Sequence, residues 1–552
     1  MLWCKLLLVV SVGVAYTKAD DIVQLSIPQG VLEGKIAESV LSKKQYYSFK
    51  GIPYAKANVG VNKFNAAEAA EAWSGVLDAT QHRSPCPFFC VIRKGMQGNE
   101  DCLFLNVYSP DINKDAQKAV MVWFHGGAFN MGNGDDDVYG PDFLLEEDVI
   151  VVTVNSRLGA IGFLSTADEN APGNAGLKDQ VMALKWIKDN IQFFGGSPEK
   201  VTLFGQSSGA ASVHYHLLSP MSEGLFSAAI MQSGLAVNSF AITYNPREMA
   251  FKLGELLDIS TSDSAELVKQ LSMLDAKSII TATLEMAKQE NITNGHIQPF
   301  VPSIEPDVGK EIFLPADPWD ILTSGKVANV PIISGLTAEE SVLFLPFLLP
   351  HLEQLVNHLE SFVPYDLNVT DPAKQHEMAA AIKSFYFNNK VLSKESMHEF
   401  EMLLTDVMFT TGIALGNKVM STRNFSPVYE YLFTYESPFG LMKNVFNVEK
   451  GVSHGDELGY MFYSNIFMNL PAPGSPAEYL TRMFVKMWAN FAKTGNPTPT
   501  LDDKYVKVNW EPRGKEGNYL DININSKMEK NLLKERVDFW TGMYKDVLGH
   551  YA

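Results

Sequence analysis

The stretch Val201-Thr202-Leu203-Phe204-Gly205-Gln206-Ser207-Ser208-Gly209 carries the clearest fold signal in the chain. Its first four residues are typical of a buried strand, and Ala210-Ala211-Ser212-Val213-His214 behind it indicates the start of a helix. Between them lies the pattern Gly-x-Ser-x-Gly, which marks a sharp turn from a strand into a helix when it stands in this context. The glycines permit a strained backbone that projects the Ser207 hydroxyl out of a sheet. The sequence therefore predicts a nucleophile at Ser207.

Apolar runs that suit further strands occur on both sides of this turn, and such runs are typical of a sheet buried on both faces. They are Met121–Phe124, Val149–Val154, Ala228–Met231, Val330–Ile333 and Val428–Phe433. Between two of these runs, Leu177, Val181, Leu184 and Ile187 recur at helical spacing, as a crossover between parallel strands requires. The pattern predicts α/β architecture, with a large, mostly parallel central sheet flanked by helices.

Two long helical stretches interrupt the strand pattern, at roughly 245 to 295 and roughly 350 to 420. No Pro/Gly/Ser-rich linker and no repeat separates them from the predicted sheet. We therefore expect them to be insertions that cap the active site, and residues 20 to 552 to form a single domain.

A second glycine-rich segment, His125-Gly126-Gly127-Ala128-Phe129, directly follows another predicted strand. Loops of this kind in lipases and esterases supply backbone N–H groups to a negatively charged oxygen. Gly127 and Ala128 are the expected donors, and the N–H of Ser208 is the third. An ordinary glycine turn at the end of a strand is the alternative interpretation.

The overall charge argues against several partners. The net charge is −18, and no cluster of Lys and Arg stands out, so nucleic acid and anionic membrane surfaces would be repelled. No metal-ligand motif and no phosphate-binding Gly-Lys loop is evident in the sequence, which predicts no metal and no cofactor. The expected ligand is a small neutral or cationic molecule.

The N-terminus resembles a signal peptide over residues 1 to 19. Lys5 precedes a short apolar run from Leu6 to Ala15, and cleavage could follow Ala15 or Ala19. No later stretch reads as a membrane anchor, so we expect a secreted protein in an oxidising compartment. Sequons in keeping with this compartment begin at Asn291, Asn368 and Asn424, the last followed closely by a disfavouring proline.

Two long segments of the sequence resemble a known protein family. Phe194–Gly209 and Glu100–Tyr108 closely resemble the two signatures of the type-B carboxylesterase and cholinesterase family, and the resemblance extends over nearly the whole chain. It implies an α/β-hydrolase fold and hydrolysis of carboxylic esters through a Ser-His-Glu triad. Two further segments resemble the family, and in them Arg157 and Asp179 are expected to form a buried structural pair.

The other two triad members must follow Ser207, because the chain order in this fold is serine, acid, histidine. His454, in Gly451-Val452-Ser453-His454-Gly455, resembles the histidine loop of the family. Glu340, in Gly335-Leu336-Thr337-Ala338-Glu339-Glu340-Ser341, resembles its acid. Glu339 is the alternative, and the family often has glycine at the position of Ser341.

The resemblance also implies supporting residues around the triad. Ser233 and Glu457 are expected to assist it together with Gln206, although each could serve packing alone. A disulfide is implied between Cys86 and Cys102, which leaves Cys90 unpaired once Cys4 has been removed with the signal peptide.

The substrate is predicted from what surrounds these motifs. The segment between Cys86 and Cys102 contains no Trp, whereas cholinesterases stack their cation on an aromatic ring there. Gln206 stands where the family usually has glutamate, which resembles juvenile hormone esterases and insect antennal esterases, although those typically have alanine at the position of Ser208. Phe240 and Phe344 could line an apolar pocket or belong to the core.

These features together predict hydrolysis of a hydrophobic ester such as a fatty, pheromone or odorant-like acetate. Juvenile hormone is the alternative substrate. Two further functions are weaker candidates: a lipase, disfavoured by the lack of an obvious apolar lid, and a non-catalytic neuroligin-like binding protein, disfavoured by the presence of every triad residue type. The oligomeric state is left open, with a monomer as the expectation.

Overall fold

A computed structural model of the chain describes residues 16–17, 21–91, 93–288, 294–348, 358–390, 396–423, 426–446, 448–501 and 504–549. The predicted signal peptide, except for Tyr16–Thr17, lies outside these residues. The sequons at Asn291 and Asn424 also lie outside them, whereas Asn368 is described and exposed.

A large mixed sheet organises the molecule. Within the described residues it contains 14 strands in the order β1-β2-β3-β4-β8-β10-β9-β11-β12-β13-β14-β15-β16, with β5 beside β3, and β6 and β7 form a separate hairpin. The strands are β1 (Tyr16–Thr17), β2 (Ile22–Ile27), β3 (Gly30–Glu38), β4 (Gln45–Pro53), β5 (Val76–Asp78), β6 (Phe88–Cys90), β7 (Gly95–Gln97), β8 (Phe104–Ser109), β9 (Lys118–Phe124), β10 (Ile150–Val154), β11 (Gly196–Gln206), β12 (Ala228–Gln232), β13 (Ile332–Thr337), β14 (Val428–Phe433), β15 (Asn518–Ile522) and β16 (Lys527–Lys530).

The centre of the sheet, from β10 to β15, is parallel, and its N-terminal side is antiparallel. Each of the six predicted strands lies in this parallel centre, which confirms the predicted fold class. Some boundaries differ, and one of them has a clear cause: β13 begins at Ile332 rather than Val330. Pro331 has no N–H to donate to a neighbouring strand, so regular pairing begins after it.

The apolar core has two halves because successive side chains of a strand point to opposite faces of the sheet. In β9, Val120 and Val122 pack into one half, and Met121 and Trp123 pack into the other. A sheet buried on both faces explains why its strands read as continuous apolar runs.

Helices cover both faces of the sheet. They are α1 (Asp142–Leu145), α2 (Gly159–Phe163), α3 (Ala175–Asn190), α4 (Ser208–Leu218), α5 (Pro246–Leu256), α6 (Ser264–Met273), α7 (Ala276–Ala287), α8 (Pro318–Ser324), α9 (Leu345–Leu348), α10 (Pro372–Phe387), α11 (Met397–Thr405), α12 (Thr411–Arg423), α13 (Leu441–Phe446), α14 (Pro476–Thr494) and α15 (Lys534–Leu548). A single π-helical turn, Asp406–Thr410, joins α11 to α12. The predicted crossover is α3, and the predicted insertions contain α5 to α7 and α10 to α12.

The disulfide and the buried ion pair expected from the sequence are both present. Cys86 is disulfide-bonded to Cys102, and Cys90 is a free, partly exposed cysteine. Arg157 pairs with Asp179 through two hydrogen bonds, Nε to Oδ2 at 2.7 Å and Nη2 to Oδ1 at 2.5 Å, with both side chains buried. In the described ranges, no helix combines the length and the apolar character needed to span a membrane.

Candidate active site

The predicted site residues meet at one edge of the sheet, where neighbouring parallel strands end. Ser207 directly follows β11 and Ser233 directly follows β12. Glu340 lies just beyond β13, and His454 lies in the connection after β14. Ligands of open α/β sheets bind at the carboxyl ends of the strands, so this edge is where a reactive centre is expected.

Ser207 occupies a strained turn between β11 and α4. Its backbone angles are φ 59° and ψ −128°, a conformation that costs a non-glycine residue on the order of 1 to 3 kcal/mol. Gly209 is required because a Cβ there would lie 2.0 Å from the carbonyl oxygen of Phe124. The helix can therefore approach the end of β9 closely, as the Gly-x-Ser-x-Gly pattern predicts.

The glycine loop after β9 lies directly against this turn. A Cβ placed on Gly126 would lie 3.2 Å from Cβ of Ser207, and both Gly127 and Ala128 have positive φ, 121° and 54°. Ser208 is the first residue of α4, so its N–H belongs to the first turn, where no acceptor exists within the helix. Backbone donors from two separate segments can thus serve an oxyanion beside Ser207.

A short chain of hydrogen bonds orients the histidine. Nδ1 of His454 lies 2.5 Å from Oε2 of Glu340, and Ser233 donates to the other carboxylate oxygen, Oε1, at 2.6 Å. The backbone N–H of Thr337 also donates to Oε1 at 2.7 Å. Both oxygen atoms of this buried carboxylate are thereby engaged, which fixes its orientation.

The structure places Glu340, and not the alternative Glu339, against the histidine. Oε2 of Glu339 instead accepts the backbone N–H of Val452 at 2.9 Å. Adjacent side chains of the same loop thus point to different neighbours. Since Glu340 holds Nδ1, the hydrogen-bond network assigns the proton to Nδ1 and leaves Nε2 of His454 as an acceptor.

The acceptor nitrogen is occupied by a neighbour of the nucleophile. The side-chain amide of Gln206 lies 2.9 Å from Nε2 of His454. No hydrogen bond joins the Ser207 hydroxyl to His454 in the part of the chain that the structure describes. Hydrogen bonds between a nucleophile and its base are often loose before substrate binds, and this arrangement is compatible with a base role.

Glu457 forms a second buried layer behind the acid. Its Oε1 accepts from Nε2 of Gln232 at 3.2 Å, and Oε1 of Gln232 accepts from the indole N–H of Trp488 at 3.1 Å. Because an indole N–H can only donate, it fixes the orientation of the Gln232 amide. Burial, together with the negative charge of Glu340, raises the pKa of Glu457 to about 8.

Aromatic rings form a wall beside the imidazole. The ring of Phe409 lies 4.6 Å from that of His454 and also contacts Phe240 and Phe344, at 5.6 Å and 6.2 Å between centroids. Sequence reasoning identified Phe240 and Phe344 but missed Phe409. It belongs to the π-helical turn, and turns of this type occur frequently at functional sites. No sequence pattern signals such a turn.

Comparison with known proteins identifies the family to which this chain belongs. A profile described as the Carboxylesterase family matches residues 20–540. Juvenile hormone esterase of Tribolium castaneum is 33% identical over an alignment of 565 positions, which covers 95% of this chain and 94% of that protein. The chain belongs to the carboxylesterase family.

Other relatives agree with this assignment and extend it to structure. Esterase FE4 of Myzus persicae is 33% identical, with 90% of this carboxylesterase and 88% of that protein covered. The crystal structure of juvenile hormone esterase from Manduca sexta, with OTFP covalently attached, superimposes with a TM-score of 0.87 at 28% identity, covering 95% of this chain and 100% of that one. This carboxylesterase is therefore a carboxylic ester hydrolase with the α/β-hydrolase fold.

Proposed function

We propose that this carboxylesterase hydrolyses hydrophobic esters, with Ser207 as nucleophile, His454 as general base and Glu340 as the acid that orients the base. The observation that carries the proposal is the buried chain of hydrogen bonds from Ser233 through Glu340 to His454, at the strand ends where Ser207 occupies its strained turn.

The reaction follows from the protonation state of the histidine. Nε2 of His454 accepts the proton of Ser207 as the hydroxyl attacks the ester carbonyl, and it returns that proton to the departing alcohol. Water then attacks the acyl-enzyme by the same route and releases the acid. Glu340 stabilises the imidazolium that forms in both steps, because its carboxylate already faces Nδ1 at 2.5 Å.

The tetrahedral intermediates carry a negative charge on the former carbonyl oxygen. We assign the N–H groups of Gly127, Ala128 and Ser208 to it. Removal of one donor of this kind typically costs on the order of a hundredfold to a thousandfold in turnover. Because these donors are backbone groups, their placement depends on the positive φ angles of the loop.

The substrate class is inferred from the walls of the site. Phe240, Phe344 and Phe409 form an apolar surface next to His454. Gln206 adds no negative charge, which removes an attraction for cationic substrates. A fatty acetate, such as a pheromone or odorant-like ester, fits these walls.

Juvenile hormone is the second candidate substrate. The relatives named juvenile hormone esterase, from Tribolium castaneum and Manduca sexta, favour it. Ser208 departs from the alanine that those esterases typically carry. Parallel rates of hydrolysis for a long-chain acetate and for juvenile hormone would distinguish the two candidates.

The assignment of Ser207 is tested with two adjacent serines. Ser207→Ala should lower the rate of p-nitrophenyl acetate hydrolysis by at least about a thousandfold. Ser208→Ala keeps the backbone N–H assigned to the oxyanion and should retain activity. A fluorophosphonate probe should label the wild type and Ser208→Ala, but not Ser207→Ala. Wild-type turnover by Ser207→Ala would refute the assignment.

We further propose that residues 1 to 19 are a signal peptide and that residues 20 to 552 are secreted as one glycosylated domain. The Cys86–Cys102 disulfide and the exposed sequon at Asn368 support this proposal. Expression in insect cells should release the protein into the medium. Mass spectrometry should find a mature N-terminus after residue 15 or 19 and a glycan on Asn368.

A further inference from the structure

Three potential metal ligands converge behind the loop that carries Glu340. Glu339 contributes a carboxylate from this loop, and α11 contributes the side chains of His398 and Glu401. One ligand atom from each of the three residues lies within 4.8 Å of the other two. His398 and Glu401 are three residues apart and therefore share one face of the helix.

Each carboxylate is held by one oxygen and leaves the other available. Val452 donates its backbone N–H to Oε2 of Glu339 at 2.9 Å, and Thr405 donates its hydroxyl to Oε1 of Glu401 at 2.6 Å. Among the described residues, nothing donates a hydrogen bond to Oε1 of Glu339 or Oε2 of Glu401. Glu401 is only 4% exposed, so its carboxylate lies almost entirely out of solvent.

The two carboxylates also have no cation of their own within the described chain. Arg536 is near Glu401, but its guanidinium is bound to Asp406, with Nε 2.7 Å from Oδ2 and Nη2 2.5 Å from Oδ1. Burial and the nearby charge of Glu339 raise the pKa of Glu401 to about 7. A positive ion between these carboxylates would offset both the cost of burying the Glu401 charge and the repulsion between the two negative charges.

We propose that Glu339, His398 and Glu401 form a binding site for a divalent transition-metal ion of the zinc type. One imidazole nitrogen and two carboxylate oxygens suit Zn²⁺, whereas Ca²⁺ prefers oxygen ligands alone. With bonds of about 2.1 Å, a tetrahedral ion holds its ligand atoms about 3.4 Å apart, so the side chains close slightly on binding. His398 is exposed and Glu339 is half-buried, which gives the ion a route from solvent.

The bound ion would connect α11 to the loop that precedes the catalytic glutamate. Glu339 adjoins Glu340, and Thr405 at the end of α11 already accepts the backbone N–H of Ser341 at 3.0 Å. A second connection between these segments should stabilise the folded protein against heat. The site uses none of the groups assigned to ester cleavage, so this proposal stands apart from the proposed function.

Isothermal titration of the metal-free, full-length secreted protein with Zn²⁺ tests the site. The wild type should bind one ion with micromolar affinity and show a higher melting temperature in its presence. His398→Ala and Glu401→Gln should each weaken binding by at least about tenfold and lose the thermal shift. His376→Ala is the matched control, because His376 is an exposed histidine whose Nδ1 lies 2.9 Å from the carboxylate of Glu360, and this variant should bind Zn²⁺ like the wild type.

Equal Zn²⁺ affinity in His398→Ala and the wild type would overturn the proposal, as would a wild type that binds no Zn²⁺. Since His398 is exposed, its substitution leaves the core intact and remains informative even if Glu401→Gln fails to fold. Titration with Ca²⁺ is the second arm. We expect much weaker binding, and equally tight Ca²⁺ binding by the wild type and His398→Ala would refute a nitrogen ligand.

Discussion

The side-chain amide of Gln206 donates a hydrogen bond to Nε2 of His454 over 2.9 Å. In the proposed mechanism, this nitrogen receives the proton of Ser207 during ester cleavage. Gln206 therefore holds the imidazole in place from one side while Glu340 holds it from the other at 2.5 Å. To act as a base, Nε2 must exchange the amide donor for the serine hydroxyl, or share its lone pair between them.

Gln206→Glu should move the acidic limb of the pH–activity profile upward. A carboxylate at this position would favour the protonated imidazole, and an adjacent opposite charge typically shifts a pKa by about 1 to 3 units. Activity at pH 7 should fall and should recover towards pH 9, as measured by kcat/KM for p-nitrophenyl acetate. Gln206→Met is the control, because it removes the hydrogen-bond donor without adding charge. The acidic limb of its pH–activity profile should not move upward. An unmoved limb in Gln206→Glu would contradict this account.

The sequence predicts the parts of this site that depend on local pattern. A strand followed by Gly-x-Ser-x-Gly requires a sharp turn at Ser207, and apolar runs require a doubly buried sheet. Family resemblance adds Glu340 and His454. The contact between Gln206 and His454 spans 248 residues, and Phe409 reaches the site through a π-helical turn. Neither follows from local periodicity, because only tertiary packing brings the segments together.

Ser233→Ala should reduce turnover by about tenfold and lower the free energy of unfolding by about 1.5 to 3 kcal/mol, the usual range for a hydrogen bond to a charged group. Its hydroxyl donates to Oε1 of Glu340 at 2.6 Å, so the substitution removes one of the donors that fix the acid. Steady-state kinetics and urea unfolding measure the two effects.

Ser334→Ala is the matched control for that substitution. Ser334 is a fully buried serine of the neighbouring strand β13, and within the described chain its hydroxyl has no hydrogen-bond partner. Its replacement should leave turnover unchanged and stability the same or higher. If the two alanine variants had equal kinetics, Ser233 would have no role in positioning Glu340.

Glu457→Gln should flatten the dependence of stability on pH. The pKa of Glu457 is about 8 in the folded protein and 4.5 as its ordinary value, so the folded state binds the proton more tightly. The contribution of this group to the free energy of unfolding is fully present below pH 4.5 and is lost as the pH rises through 8. Between pH 5 and 8 the wild type should lose up to about 4 kcal/mol through this group. Urea unfolding at both pH values measures the difference, and identical slopes in the two proteins would contradict it.

Phe409→Leu should change substrate selectivity more than basal chemistry. Phe409 is buried and contacts His454 and the proposed pocket residues Phe240 and Phe344. A smaller side chain widens the pocket beside this apolar wall. A pocket change of one or two methylenes is worth about 1 to 3 kcal/mol in discrimination between esters of different acyl length. The ratio of kcat/KM for p-nitrophenyl octanoate to that for the acetate should therefore shift by roughly tenfold, with a smaller change in kcat for the acetate.

Phe400→Leu separates this effect from a general loss of packing. Phe400 is a buried ring of α11 that contacts Phe362 at 5.8 Å between centroids. It therefore loses similar apolar contact on substitution, and both variants should be destabilised by a few kcal/mol. Of the two variants, only Phe409→Leu should alter the octanoate-to-acetate ratio, because Phe409 lies against the imidazole and Phe400 packs against Phe362 instead. If both variants shifted the ratio equally, the change would reflect looser packing of the insertion, and Phe409 would not be a wall of the ester pocket.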